Sequence, residues 1–281
     1  MASRYKTLLG IKTRLSSTKK GLRTKYKTLL SGILFLSIFL LIWQITAMFY
    51  PITFLRDASP IKVVSTLVEL AVKGDVEGIS LLDHTIASVT RVLAGFLVAC
   101  LSAIPLGLLM GLRKEVYESS KSVIEPIRFI PPIAWIPLAI LLLTGFSRYI
   151  FLIWLGAFFP ILVNTVAGIK RVNPVLGEVA KSFGANKRQI VSKVIVPGSL
   201  PEVVAGMRVG LGVGWMCIVA AEMVGAEVTG IGRLILKGAQ LLQVDVVIAG
   251  MTVIGFIGLF MNEIILLFER RTFKWRREIK V

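Results

Sequence analysis

The stretch EVAKSFGANKRQIVSKVIVP, residues 178–197, decides how the rest of the chain is read. It carries four basic residues (Lys181, Lys187, Arg188 and Lys193), one acid (Glu178), and a glycine, Gly184, six positions after that acid. Long apolar runs stand on both sides of it. Asn173-Pro174 opens a helix in which Val175, Val179 and Phe183 share one side, and Gly184 ends it by supplying a turn that a side chain hinders. A second helix, NKRQIVSKVIV, is expected to run to Pro197 and turn there. Two short helices broken at a glycine make a compact polar protrusion, a shape suited to a groove in another protein.

The composition says what this protrusion stands on. The chain has 281 residues, 55% hydrophobic and only 17% charged, with a mean hydropathy of +0.80. A soluble domain carries about 25% charged residues, so the balance is that of a polytopic membrane protein. The net charge of +17 by itself suggests a nucleic-acid binder. The apolar runs argue against that, and the basic residues are better explained as topology signals. Cys100 and Cys217 lie in apolar runs without ligand-spaced His or Cys neighbours, so neither a disulfide framework nor a metal site is expected. No P-loop motif is present. His84, where an outer loop meets an apolar run, is expected to be interfacial.

A helical span needs ~20 apolar residues. Six stretches qualify, near 30–49, 84–111, 121–145, 149–168, 203–225 and 246–268, and predict an all-α membrane protein with about six transmembrane helices. The first is too long for a signal-peptide core and no A-x-A site follows it. Between spans, Ser59 as N-cap, Pro60 at the first helical position and Gly74 as a stop predict an interfacial helix, and GIGRLILKGAQLL (230–242) predicts a re-entrant or surface helix. With the N-terminus inside, the inner segments hold 24 Lys/Arg and the outer segments 6, which places both termini and the 178–197 stretch in the cytoplasm. The organisation is then a basic arm (1–29), a transmembrane domain (30–268) with a cytoplasmic loop at 169–202, and a basic tail (269–281). The arm, with nine Lys/Arg and no acid, suits an anionic lipid surface.

The loop carries a family resemblance. Glu178, Ala180, Gly184, Val194 and Pro197 resemble the EAA loop, E-A-A-x₃-G-x₉-I-x-L-P, of ABC importer permeases. Both intervals match, Glu to Gly and Gly to Pro, while Val179, Val194 and Val196 are apolar replacements. IPPIAWIPLAILLLTGFS (130–147), GAFFPILVNT (156–165), MRVGLGVGWMCIVAAEMVGA (207–226) and ERR (269–271) are similar to the nitrate/sulfonate/taurine/bicarbonate group of these permeases. The resemblance covers roughly 59–275 and implies a type I ABC importer permease fold with a cytoplasmic coupling helix. It also implies a second permease copy, two ATPase subunits that bind ATP and Mg, and an extracytoplasmic solute-binding protein. This chain would bind no cofactor itself, hydrolyse nothing, and sit in the plasma (inner) membrane of a prokaryote. The ATPase-coupling residues carried over are Glu178, Ala180, Gly184, Ala185 and Pro197.

Other residues are candidates on physical grounds. Three prolines in RFIPPIAWIP (128–137) force irregular backbone, tolerated at membrane depth against protein or a water-filled cavity. Arg128, Pro131, Pro132 and Trp135 are therefore candidates for the translocation path or for a kinked structural helix. Gly206, Gly210 and Gly214 share one face of span five, as cavity lining or as a close-packing stripe. Charges inside spans are functional suspects by default. Arg91 and Glu222 both fall in the outer half and are a candidate ion pair, while Arg208, on the glycine-rich span, has the better claim to meet an anion.

A competing class is a secondary carrier or channel needing no ATPase. Such carriers pair broken helices in repeated halves, and no second copy of the 128–137 break is present. A basic structural protein binding lipid or nucleic acid has only the N-terminal arm in its favour.

Overall fold

In lipid a backbone must satisfy its own hydrogen bonds, so an apolar run without sheet partners has only the helix open to it. The structure, a computed structural model, describes residues 30–49, 58–225 and 227–273, and among these it is helical with no strand. The basic arm (1–29) and residues 274–281 of the tail lie outside the described residues.

Helix α1 (Leu30–Phe49) is predominantly apolar and carries no charged residue. Helix α2 (Pro60–Val72) starts where Ser59 Oγ accepts the Lys62 N–H at 3.4 Å, and Gly74, at φ +82°, turns the chain after it. Ser80 caps α3 (Leu81–Leu112), accepting from the Asp83 N–H at 3.1 Å. Next come α4 (Lys114–Arg128), a 3₁₀ turn (Pro132–Trp135) leading into α5 (Ile136–Leu142), and the long α6 (Phe146–Arg171). The loop holds α7 (Pro174–Ser182) and α8 (Lys187–Ile190), then a π turn (Val191–Ile195) into α9 (Val196–Val224). Helices α10 (Ile231–Gln240) and α11 (Val244–Thr272) complete the described chain.

Five helical stretches are long and apolar enough to cross a membrane: α1, α3, α6, α8–α9 as one run (Lys187–Val224), and α11. The third expected span, 121–145, is not one helix. Helices α4 and α5 meet at 82°, and only counting that bent pair as a crossing gives six. Adjacent prolines are the cause: Pro132 keeps Pro131 extended (φ −56°, ψ 135°), and neither ring leaves an N–H for the helix ladder. Helix α4 is amphipathic with no buried residue, as its Lys114, Glu115, Glu118, Lys121 and Glu125 require.

The expected turn at Pro197 is also absent. A regular α-helix would drive the proline ring into the Lys193 carbonyl. The π turn widens the backbone just before it, with the Val196 N–H reaching back to the Val191 carbonyl, and the helix continues through Pro197 and Pro201. The loop and the span after it are thereby one continuous rod.

Packing centres on α6, which lies between α3 and α9. One apolar cluster joins Val92, Tyr149, Ile153, Trp215, Ile218 and Ile231; a second joins Ala99, Ala103, Ala157, Ile161 and Leu162. Hydrocarbon offers no hydrophobic drive between helices, so close approach through small residues takes its place. A Cβ on Gly210 would stand 2.9 Å from the Ala157 carbonyl oxygen, and one on Gly206 2.6 Å from Asn164 Cβ.

Candidate functional site

The 169–202 loop assembles from local rules. Asn173 Oδ1 accepts the Val175 N–H at 3.0 Å and Pro174 takes the first helical position, which needs no donor. Helix α7 ends in a Schellman motif: the Ala185 N–H bonds the Ala180 carbonyl at 3.0 Å and the Gly184 N–H the Lys181 carbonyl at 2.9 Å. Gly184 holds φ +82° with nothing within 4 Å of where its Cβ would be, so the position is backbone-restricted but spatially open. Asn186 and Gln189 then form a capping box for α8, at 3.0 and 2.8 Å. That box is written in the sequence as N-x-x-Q, Asn186 to Gln189.

The hairpin leaves apolar side chains in solvent. Phe183 is 88% exposed, and Val175, Leu176 and Val179 are exposed on the same short helix. Glu178 is exposed and makes no ion pair among the described residues. The base of the loop is fixed where Arg171 Nη1 meets Glu202 Oε2 at 3.1 Å, tying the end of α6 to α9. Pro197 lies inside the rod rather than at a corner.

A second site sits at the opposite end of the same helices. Glu222 is 1% exposed and Arg91 6%, and Arg91 Nη1 donates to Glu222 Oε1 at 2.8 Å. Arg91 also donates to the Thr229 carbonyl at 2.8 Å, and its guanidinium lies 4.5 Å from the Tyr149 ring centroid. Ser88 Oγ is 2.9 Å from both Glu222 oxygens. The first N–H groups of α10 have no cap of their own, since Gly230 precedes them. Three are satisfied from other helices: Gly230 N–H by His84 Nδ1, Ile231 N–H by Ser88 Oγ, and Gly232 N–H by Glu222 Oε2, at 3.0, 2.9 and 3.0 Å. A carboxylate at a helix N-terminus is also favoured by the helix dipole. Gly230 has φ +137°, and a Cβ there would meet the Glu222 carboxylate oxygens at 2.6 and 2.7 Å.

His84 is therefore fully buried, not interfacial as expected. Its Nδ1 accepts from Gly230, which puts the ring hydrogen on Nε2, facing Asp75 Oδ2 at 3.5 Å. The signal for it lay in the spacing: 84, 88 and 91 fall on one helix face.

The candidate path residues are not brought together as a lining. Gly210 and Gly214 are buried against α6 at Ala157, Ile161 and Ile153, so their small size serves packing and not a cavity within this chain. Arg208 lies about 200° around the helix from Gly210 and is half-buried, on the side that carries exposed Gly212 and Met216. Arg128 and Pro131 are exposed at the bend, Pro132 is half-buried, and half-buried Trp135 meets Phe151 edge-on at 6.4 Å. No metal-ligating cluster exists among the described residues.

Long apolar helices packed through glycine faces, one of them extended into a polar helical hairpin, are the architecture of a polytopic helical membrane protein. The chain belongs to the family of binding-protein-dependent transport system inner membrane components, whose model matches residues 103–274, and it is a permease subunit of an ABC importer. It is 40% identical to a putative ABC transporter permease of Methanocaldococcus jannaschii over 93% of this chain and 98% of that one. It is 35% identical to the taurine transport system permease TauC of Escherichia coli over 87% of this chain and 89% of that one. The fold matches a subunit of the MetNI methionine ABC transporter in an inward-facing conformation, with a TM-score of 0.61, 18% identity, and coverage of 68% of this chain and 95% of that one.

Proposed function

We propose that two copies of this chain form a path through the inner membrane for a small anion of the nitrate, bicarbonate, alkanesulfonate or taurine type. Taurine is what one relative, TauC, is named for. The anion is handed over by a solute-binding protein on the outer side. Two ATPase subunits, carrying ATP and Mg, dock on the 169–202 loop from the cytoplasm, where both termini lie. The observation that carries this reading is the rod: exposed Phe183 and the Gly184 turn stand at the tip of a hairpin continuous through the π turn with α9. Force applied to the hairpin reaches the spanning helix without an intervening hinge loop. The face of α9 bearing Arg208, Gly212 and Met216 is left open by the packing on α6, and Arg208 there is the cation suited to an anionic solute.

The test is reconstitution. The chain purified with its ATPase, in liposomes, is expected to hydrolyse ATP faster when solute-loaded binding protein is added outside, and to import solute only then. Solute flux through liposomes holding this chain alone would overturn the reading in favour of a carrier or channel.

A further inference from the structure

The end of the bundle that bears the coupling loop holds a cavity of about 180 Å³ between α4 and α6. Helix α4 contributes Tyr117, Lys121, Ile124, Glu125 and Arg128, which recur at helical spacing and so form a single face. Its floor is apolar, formed by Met110 of α3 and by Leu162, Val163 and Val166 of α6. Lys170, in the last turn of α6, closes the rim, its Nζ 3.3 Å from the centroid of the Tyr117 ring. Three cations thus surround an apolar floor, with one carboxylate, Glu125, 3.9 Å from Lys121.

This combination discriminates between occupants. A small hydrated anion gains from the cations but loses water against the apolar floor, where nothing replaces its hydrogen bonds. A phospholipid satisfies both halves, its phosphate at the rim and the upper part of an acyl chain on the floor. Amphipathic α4, polar along one side and without a buried residue, has the character of a helix lying at the membrane interface. Basic pockets between helices on the cytoplasmic side fit anionic headgroups, and that leaflet is the anionic one.

We propose that the α4–α6 cavity is a binding site for an anionic phospholipid, whose phosphate is held by Lys121 and Lys170 at the end of the cleft where Lys170 packs on Tyr117. The lipid fills the cleft between the bent α4–α5 pair and α6, and so braces the interfacial helix next to the coupling loop. The leaflet assignment rests on the cytoplasmic placement of that loop, whereas the site itself does not.

The test uses the full chain in bilayer discs with the same lipid mixture, phosphatidylglycerol and phosphatidylcholine, in both leaflets, so orientation does not enter. After gentle extraction, retained lipids are counted by native mass spectrometry. The wild type is expected to retain phosphatidylglycerol over phosphatidylcholine. Lys121→Gln with Lys170→Gln removes two surface cations and should lower that preference on the order of tenfold or more. Lys121→Arg with Lys170→Arg should keep it. A charge-matched control, Arg113→Gln with Lys114→Gln, lies outside the cavity and should also keep it. An equal loss in the control means diffuse surface attraction and overturns the site. An unchanged preference in the Lys121/Lys170 variant overturns it too. Displacement of the lipid by free glycerol phosphate or sulfate would show a small-anion site instead. Occupation of the cleft by a second copy would appear as a dimer retaining no lipid at all.

Discussion

At the scale of the residue, the buried Arg91–Glu222 pair carries more structure than its two charges. Removing one partner of a buried pair leaves the other charge uncompensated, at a cost of about 3–5 kcal/mol. Arg91→Ala should therefore lower thermal stability in detergent sharply, and Arg91→Ala with Glu222→Gln should recover part of the loss. Strictly additive losses contradict a direct pair. Full recovery is not expected, because Arg91 also donates to the Thr229 carbonyl, which Arg91→Ala leaves without that partner. The glycine face offers a second test on one helix. Gly210→Ala places a methyl against Ala157 and Ile161 and should cost about 1–3 kcal/mol, whereas Gly212→Ala, with open space around it, should be neutral or slightly stabilising. Melting curves of the two variants decide it, and equal effects would contradict the assigned packing face. The pairing of Arg91 with Glu222 was readable as two charges at matching depth. The capping of α10 by His84, Ser88 and Glu222 was not, because it depends on where a separate helix ends in space.

At the scale of the element, local signals were reliable and proline needed context. Asn173-Pro174 and Gly184 start and stop α7 as the sequence indicates, since caps and positive φ are decided within a few residues. Span three and Pro197 came out differently for one reason. A proline's effect depends on whether neighbouring turns can absorb its ring: at Pro131-Pro132 two rings together leave no such turn, and at Pro197 the π turn provides one. The π turn gives this account a handle. It sits between the hairpin and the spanning part of α9, so altering it should change coupling while leaving the ends intact. Deleting Lys193 removes the extra residue of the widened turn and brings the Pro197 ring against a carbonyl, so the rod must kink or break between the hairpin and α9. The variant is expected to insert in the membrane yet lose ATPase association in pull-down, and undiminished association contradicts the rigid rod.

At the scale of the whole molecule, charge bias and the hairpin have to agree on sidedness. Cysteine placed at exposed Val76 should react with an impermeant maleimide added outside, and cysteine at exposed Lys187 only after the membrane is opened. Cys100→Ala and Cys217→Ala remove the background. Asp75 is unsuitable for this purpose because it is packed beside His84. The reverse labelling pattern would invert the orientation and put the hairpin beyond the reach of any cytoplasmic ATPase. The central claim, that the hairpin is the lever between ATP hydrolysis and the path, is tested most directly at its tip. Gly184→Asp puts a charge in open space at the turn, at a backbone cost of about 1 kcal/mol, too little to unfold the bundle. In the reconstituted complex, ATP hydrolysis and solute uptake are measured together for this variant. The account predicts intact membrane insertion with uptake lost, through release of the ATPase or through hydrolysis no longer stimulated by loaded binding protein. Normal uptake with normal stimulation by Gly184→Asp would contradict it.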